Sequence, residues 1–289
     1  MERAFYERPN MKISNMYIDM KYYNVYYYCN IISNIVMYFQ EEYLVNLSEF
    51  FELFYPEGLP EKFEKKSVLH SFCEWCVISV LDNDMSEEYD SFLKFVETHG
   101  LNFAIECGKN RGSRWFSIER AMDEYEMDPL LFVDFLSGNE SNSNEIIASF
   151  DEFYDELNIC GIKEEIAEKI ARECFFILFL NRDFLLHFNY WVSVCRREQK
   201  TRVSIPMWVK NAVKFRERGH CALCNRDLSG NQFSINEPYL EQYDHMVPLD
   251  SYGLNDVSNI QLLCSECNRK KHSRVESKTI YQDWYEMED

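Results

Sequence analysis

The sequence predicts an α+β chain in which a long, mostly helical region precedes a small strand–loop–strand–helix module. Three observations carry that expectation. Apolar residues recur close to a 3.6-residue period through much of the first two-thirds of the chain. Two C-x-x-C pairs, Cys221 with Cys224 and Cys264 with Cys267, bracket a C-terminal stretch. Between and after these pairs lie two short runs of strand character and a basic helical turn.

Taken in order, the Tyr-rich segment from Tyr17 to Tyr38 is open at this level. Its aromatics favour strand, while Ile31, Ile35, Val36 and Phe39 fit one helix face. Lys62 to Leu81 predicts a helix through Phe63, Val68, Leu69, Phe72, Cys73, Cys76, Val77, Val80 and Leu81. Glu87 to Glu97 predicts a second, stopped by His99-Gly100. Ser137 to Glu145, SGNESNSNE, reads as a linker or surface loop. Ile146–Leu157, Glu164–Asn181 and Asp183–Arg197 read as helices, with Gly161 as a break. Pro206 opens a further helix that ends at Gly219. The expected organisation is an acidic, mainly helical domain (1–136), a linker (137–145), a helical segment connecting to or completing that domain (146–205), and a C-terminal module with an acidic tail (206–289).

Composition narrows what such a chain does. With 289 residues, 46% hydrophobic and 16% aromatic, it has the material for large cores and is not a disordered chain. The formal charge is −19, from 30 basic and 49 acidic residues, which argues against broad binding to nucleic acid or an anionic membrane. The charge is unevenly spread. Residues 1–200 hold 19 Lys and Arg against 36 Asp and Glu, whereas residues 201–282 hold 11 against 9. Only the last third approaches a phosphate backbone without strong repulsion. No secretory signal is visible, and Tyr22–Phe39 is broken by Asn24, Asn30, Ser33 and Asn34, so no membrane span is expected. A reducing, cytoplasmic setting follows, with the 11 cysteines as thiols or metal ligands. Cys73 and Cys76 lie inside an apolar helix pattern and read as buried small residues.

The two remote C-x-x-C pairs suit one tetrahedral Zn²⁺ that pins distant parts of a small module together. Between them, Tyr243-Asp244-His245-Met246-Val247-Pro248 and Asn259-Ile260-Gln261-Leu262-Leu263 fit two short strands. A helix follows with Asn268, Arg269, Lys270, Lys271 and His272. An imidazole with an ordinary pKa near 6.5 can take a proton from water at working pH, so His245 beside Asp244 suits acid–base work.

From Phe215 to His272 the sequence resembles the HNH nuclease family, the ββα-metal fold. The segment DHMVP fits the family's first signature. The resemblance implies His245 as general base and Asp244 as ligand of a catalytic Mg²⁺ or Mn²⁺. It implies Asn259 as the residue that holds the histidine-bearing loop, and Asn268 as second metal ligand. His272, one helical turn on, occupies the place where some relatives add a histidine ligand. The four cysteines match the family's structural-zinc variant. The expected substrate is DNA, cut to leave 5′-phosphate ends, with Arg269, Lys270, Lys271 and Arg274 gripping its backbone. Similarity to defence-associated and McrA-like nucleases implies restriction of foreign DNA.

Two other readings stay open at this level. The module would serve as a zinc-stabilised adaptor that holds DNA without cutting, while the acidic region binds a protein partner or a second copy. Alternatively, Arg182-Asp-Phe-Leu-Leu-His187 resembles the R-x4-6-H motif of HEPN domains, which implies RNA cleavage by Arg182 and His187. About one such match is expected by chance in this composition.

Overall fold

The computed structural model describes residues 20–38, 47–140, 142–229 and 241–278. The acidic tail from Asp283 and the first residues of the Tyr-rich segment lie outside these. The helices are α1 (Val25–Tyr38), α2 (Leu47–Phe54), α3 (Val68–His99), α4 (Leu101–Gly108), α5 (Ser117–Glu124), α6 (Ser143–Ile159), α7 (Ile162–Leu178), α8 (Arg182–Arg196) and α9 (Met207–Arg216). Strands β1 (Glu241–His245) and β2 (Ile260–Cys264) and helix α10 (Ser265–Lys271) complete the order. The fold is α+β, and among the described residues its small sheet lies in the C-terminal module. No helix among the described residues is long and apolar enough to cross a membrane.

The Tyr-rich segment resolves as helix. Val25, Tyr28, Cys29, Ile31, Ile32, Ile35 and Val36 are buried against α7 and α8, so the helical period outweighs the strand preference of the tyrosines. The two helices expected over 62–81 and 87–97 are one 32-residue helix, α3. The intervening Asp82-Asn83-Asp84-Met85 holds neither glycine nor proline to break it. Its start moves to Val68 because Ser67 caps it: the Ser67 hydroxyl accepts from the His70 N–H, and the Ser67 N–H donates to the His70 ring. Gly100, at φ +86°, ends it. Cys73 and Cys76 are fully buried on the inner face of α3, where burial pushes both thiols up.

Helix α7 packs along α3, and α6 packs on α7. Residues of the 146–205 segment therefore share one apolar cluster with the helices before Ser137. Met246, Ile260, Leu262 and Leu263 of the C-terminal module join the same cluster.

Charged groups also cross that boundary. Glu217, just past α9, is buried between two guanidiniums. Its Oε1 accepts from Arg216 at 2.7 Å, and its Oε2 lies 3.0 Å from Arg182 Nη1 on α8. Arg216 also donates to the Ile260 carbonyl at the start of β2, and its guanidinium lies 4.8 Å from the centre of the Phe179 ring. Burial pulls both guanidiniums below their ordinary range, and the Glu217 charge offsets this. Removing one member of such a buried cluster strands the others. Glu217→Ala is expected to lower stability by about 3–5 kcal/mol. The check is a fall in the urea midpoint with little change in slope, whereas an exposed control such as Glu165→Ala stays within about 0.5 kcal/mol.

Candidate metal centre and catalytic cleft

The first cysteine pair sits on a tight knuckle. The Cys221 N–H donates to the Arg226 carbonyl at 2.8 Å, and the Asn225 N–H donates to the Cys221 carbonyl at 2.9 Å. Asn225 takes the left-handed conformation, φ +58°, that such a reversal needs and that asparagine tolerates. The Ala222 N–H donates to the Leu262 carbonyl at 2.8 Å, which fastens the knuckle to β2. The second pair comes from the other end of that strand. Cys264 closes β2 and caps α10, its sulfur accepting from the Cys267 N–H. All four Sγ atoms lie within 4.8 Å of one another, and Cys224 and Cys264 are 3.8 Å apart. That spacing matches the edge of a Zn–S tetrahedron, about 3.8 Å for bonds near 2.3 Å. The four sulfurs form a donor set suited to Zn²⁺.

The four-cysteine cluster anchors β2, and β2 positions the cleft. β1 pairs antiparallel with it, placing His245 opposite Ile260. Between the strands the chain loops out and returns, held by Asn259. The Asn259 Oδ1 accepts from the Val247 N–H at 2.9 Å, and its Nδ2 donates to the Val247 and Leu254 carbonyls at 3.0 Å each. Gly253 permits the return: a Cβ there would stand 1.9 Å from the Val247 carbonyl oxygen.

His245 ends β1 with 4% of its surface exposed. Its Nε2 lies 3.2 Å from Asn255 Oδ1. Burial holds the imidazole below the ordinary histidine range; the Asn255 bond and Asp244 oppose this, and Arg202 and Lys271 reinforce it. The shift favours the neutral ring, the form that accepts a proton. Asp244 and His245 open into a cleft of about 340 Å³, together with Arg202, Asp250, His272 and Ser273. His272 Nδ1 is 2.9 Å from Ser273 Oγ, so Nε2 is the ring nitrogen that Ser273 does not engage.

The residues singled out in sequence divide into groups. Asp244, His245 and His272 share the cleft, with Asn259 behind it. Asn268 lies half-buried on α10 and is not among the cleft-lining residues. Arg269, Lys270 and Arg274 are exposed, Lys270 in an ion pair with Glu266. Lys271 departs from the expected phosphate-gripping edge. It is 1% exposed, and its Nζ lies 2.9 Å from Asp244 Oδ2 and donates to the His245 carbonyl at 2.8 Å. The helical turn rotates it inward, where it acts as an internal counter-ion to Asp244. Asp244 Oδ2 faces the Lys271 ammonium, and the residue also lines the cleft.

The HEPN-like pair does not assemble. Arg182 is buried, donating to the Ala222 carbonyl at 2.9 Å as well as pairing with Glu217. His187 is exposed on the same helix and lies 2.9 Å from the Asp183 carbonyl. Arg182 thus ties α8 to the cysteine knuckle. Sequence reasoning missed Asn255, Asp256 and the seating of Lys200, because a G-L-N-D segment reads only as a turn.

Residues 221–274 match the family model described as HNH endonuclease. Over 91 residues the chain is 33% identical to the type IV methyl-directed restriction enzyme EcoKMcrA of Escherichia coli strain K12, a stretch covering 31% of each chain. The chain thus spans under a third of that relative's length. No solved structure matches it. The C-terminal module is of HNH type and McrA-like.

Purified protein is expected to carry about one equivalent of zinc by elemental analysis. Cys264→Ser should lose most of that zinc and unfold the module, read as a loss of zinc together with a lower melting temperature.

Proposed function

We propose that the HNH, McrA-like module makes this protein a metal-dependent endonuclease that hydrolyses phosphodiester bonds in DNA and acts in restriction of foreign DNA. One observation carries the reading: a buried imidazole and a carboxylate line, side by side, a cleft that also holds a guanidinium.

His245 takes the proton from the attacking water, through the ring nitrogen not engaged by Asn255. Arg202, in the cleft, faces the scissile phosphate, while Arg269, Lys270 and Arg274 hold neighbouring phosphates. A Mg²⁺ or Mn²⁺ ion held by Asp244 with His272 or Asn268 would supply positive charge against the phosphorane-like transition state and the leaving 3′ oxygen. Lys271 keeps Asp244 aimed, and Asn259 keeps the loop from moving His245 out of line. The products carry 5′-phosphate ends. The acidic helical region, at 36 acids against 19 bases, confines DNA to the C-terminal edge and offers a face for a protein partner or a second copy in the cytoplasm.

The test is cleavage of supercoiled plasmid, methylated and unmethylated, with Mg²⁺ or Mn²⁺ and with EDTA. His245→Ala is expected to lose about 10²–10⁴-fold in rate with zinc and fold retained, while His187→Ala cuts like the wild type. Wild-type protein that binds DNA but cuts neither plasmid with any metal would overturn the reading in favour of an adaptor.

A further inference from the structure

We infer that Asn255 is a positioning residue through which the helical region locks His245 in its Nε2–H tautomer. The kinetic part of this inference rests on the nuclease reading; the structural part does not.

The Asn255 amide Nδ2 donates to the Glu61 carbonyl at 2.9 Å and to the Thr201 carbonyl at 2.8 Å. Both partners are backbone oxygens with no hydrogen to give. The amide therefore sits in only one way, with its NH₂ towards them and its oxygen towards His245. An amide oxygen only accepts. At 3.2 Å it requires a proton on His245 Nε2, which leaves the lone pair on Nδ1. The buried amide thus selects between two tautomers that differ little in free imidazole.

What selects the tautomer lies outside the module. Glu61 belongs to the connection between α2 and α3, and Thr201 to the connection between α8 and α9. Lys200 clamps these two connections together. Its buried Nζ donates to the Leu59 carbonyl at 2.6 Å, and to Glu61 Oε1 and Glu198 Oε2 at 3.0 Å each. Glu198 Oε2 in turn accepts from the Leu59 N–H at 2.8 Å. The next residue of the loop is also fixed: Asp256 Oδ2 accepts the Val68 N–H, at the positive end of α3, at 2.8 Å. Asn255 is thus held from the helical side on one face and holds the imidazole on the other.

Loss of this hold has a distinct signature. With Nδ1 protonated, the ring presents a donor where the water needs an acceptor. The effect falls on turnover and not on substrate binding, because Asn255 is not among the residues lining the cleft.

The experiment is two-bond ¹H–¹⁵N NMR of the ¹⁵N-labelled full-length protein at about pH 8, where the ring is neutral. His245→Ala assigns the signals. Wild type is expected to show Nε2–H alone. Asn255→Ala is expected to show a tautomer mixture and to lose about 10–100-fold in kcat with KM within about two-fold. Lys200→Met alters a residue that also lines the cleft, so it is read in the spectrum alone, where it is expected to shift the tautomer ratio in the same direction by less. Zinc content and circular dichroism report whether each variant has folded. An Nδ1–H signal in the wild type overturns the inference, as does an Asn255→Ala variant with unchanged tautomer and kcat. If Asn255→Ala does not fold, the wild-type spectrum and Lys200→Met decide. If the wild type cuts no DNA, the nuclease reading falls, and the spectra alone support or overturn the tautomer lock.

Discussion

Polar groups taken out of water must find partners, and at the junction between the helical region and the small sheet they find them across the boundary. Glu217 is neutralised by one guanidinium from α8 and another from α9. Asp256 is satisfied by the first turn of α3, and Asn255 by two carbonyls from separate connections. None of these groups can be left alone at low cost, so the two parts have one relative placement. The cleft inherits its precision from that placement: one wall is β1 and the loop after it, and the other carries Lys200 and Arg202.

The same constraint alters the charge arithmetic. Counted along the chain, residues 201–282 are slightly basic. Arg216 and Lys271, however, are internal, each spent on a carboxylate or a backbone carbonyl. Arg269, Lys270 and Arg274 remain exposed as a short basic edge, with Arg202 in the cleft; Arg218, Arg226 and Lys278 are exposed as well. On a body of strongly negative charge, such an edge selects orientation more than it supplies affinity.

Much of the module was legible because its signals are local. Two C-x-x-C pairs and Asp244-His245 declare their chemistry within a few residues, and Asn259 holds the loop by hydrogen bonds to nearby backbone. The helices were legible wherever a stop residue stood, as at Gly100, Gly161 and Gly219. The single helix across Asp82–Met85 was not, because a polar interval in an amphipathic pattern resembles a break when no cap is visible. Lys271 was grouped with its basic neighbours because a charge run carries no sign of which member a short helix turns inward. Arg182 matched a motif by spacing, yet its partner is the carbonyl of Ala222, forty residues on. Asn255 was invisible for the strongest form of that reason: its partner Glu61 lies 194 residues away.

That last separation has a consequence for how the protein is made. A chain emerges from its amino terminus, so α1 to α8 are synthesised before the second cysteine pair. The acceptors at Glu61 and Thr201 precede the residue that uses them by 194 and 54 positions. Asn255 and Asp256 are added next, and the strand that carries Cys264 follows them. The chain thus lays down the acceptors for Asn255 ahead of Asn255 itself, in the order in which its residues are joined.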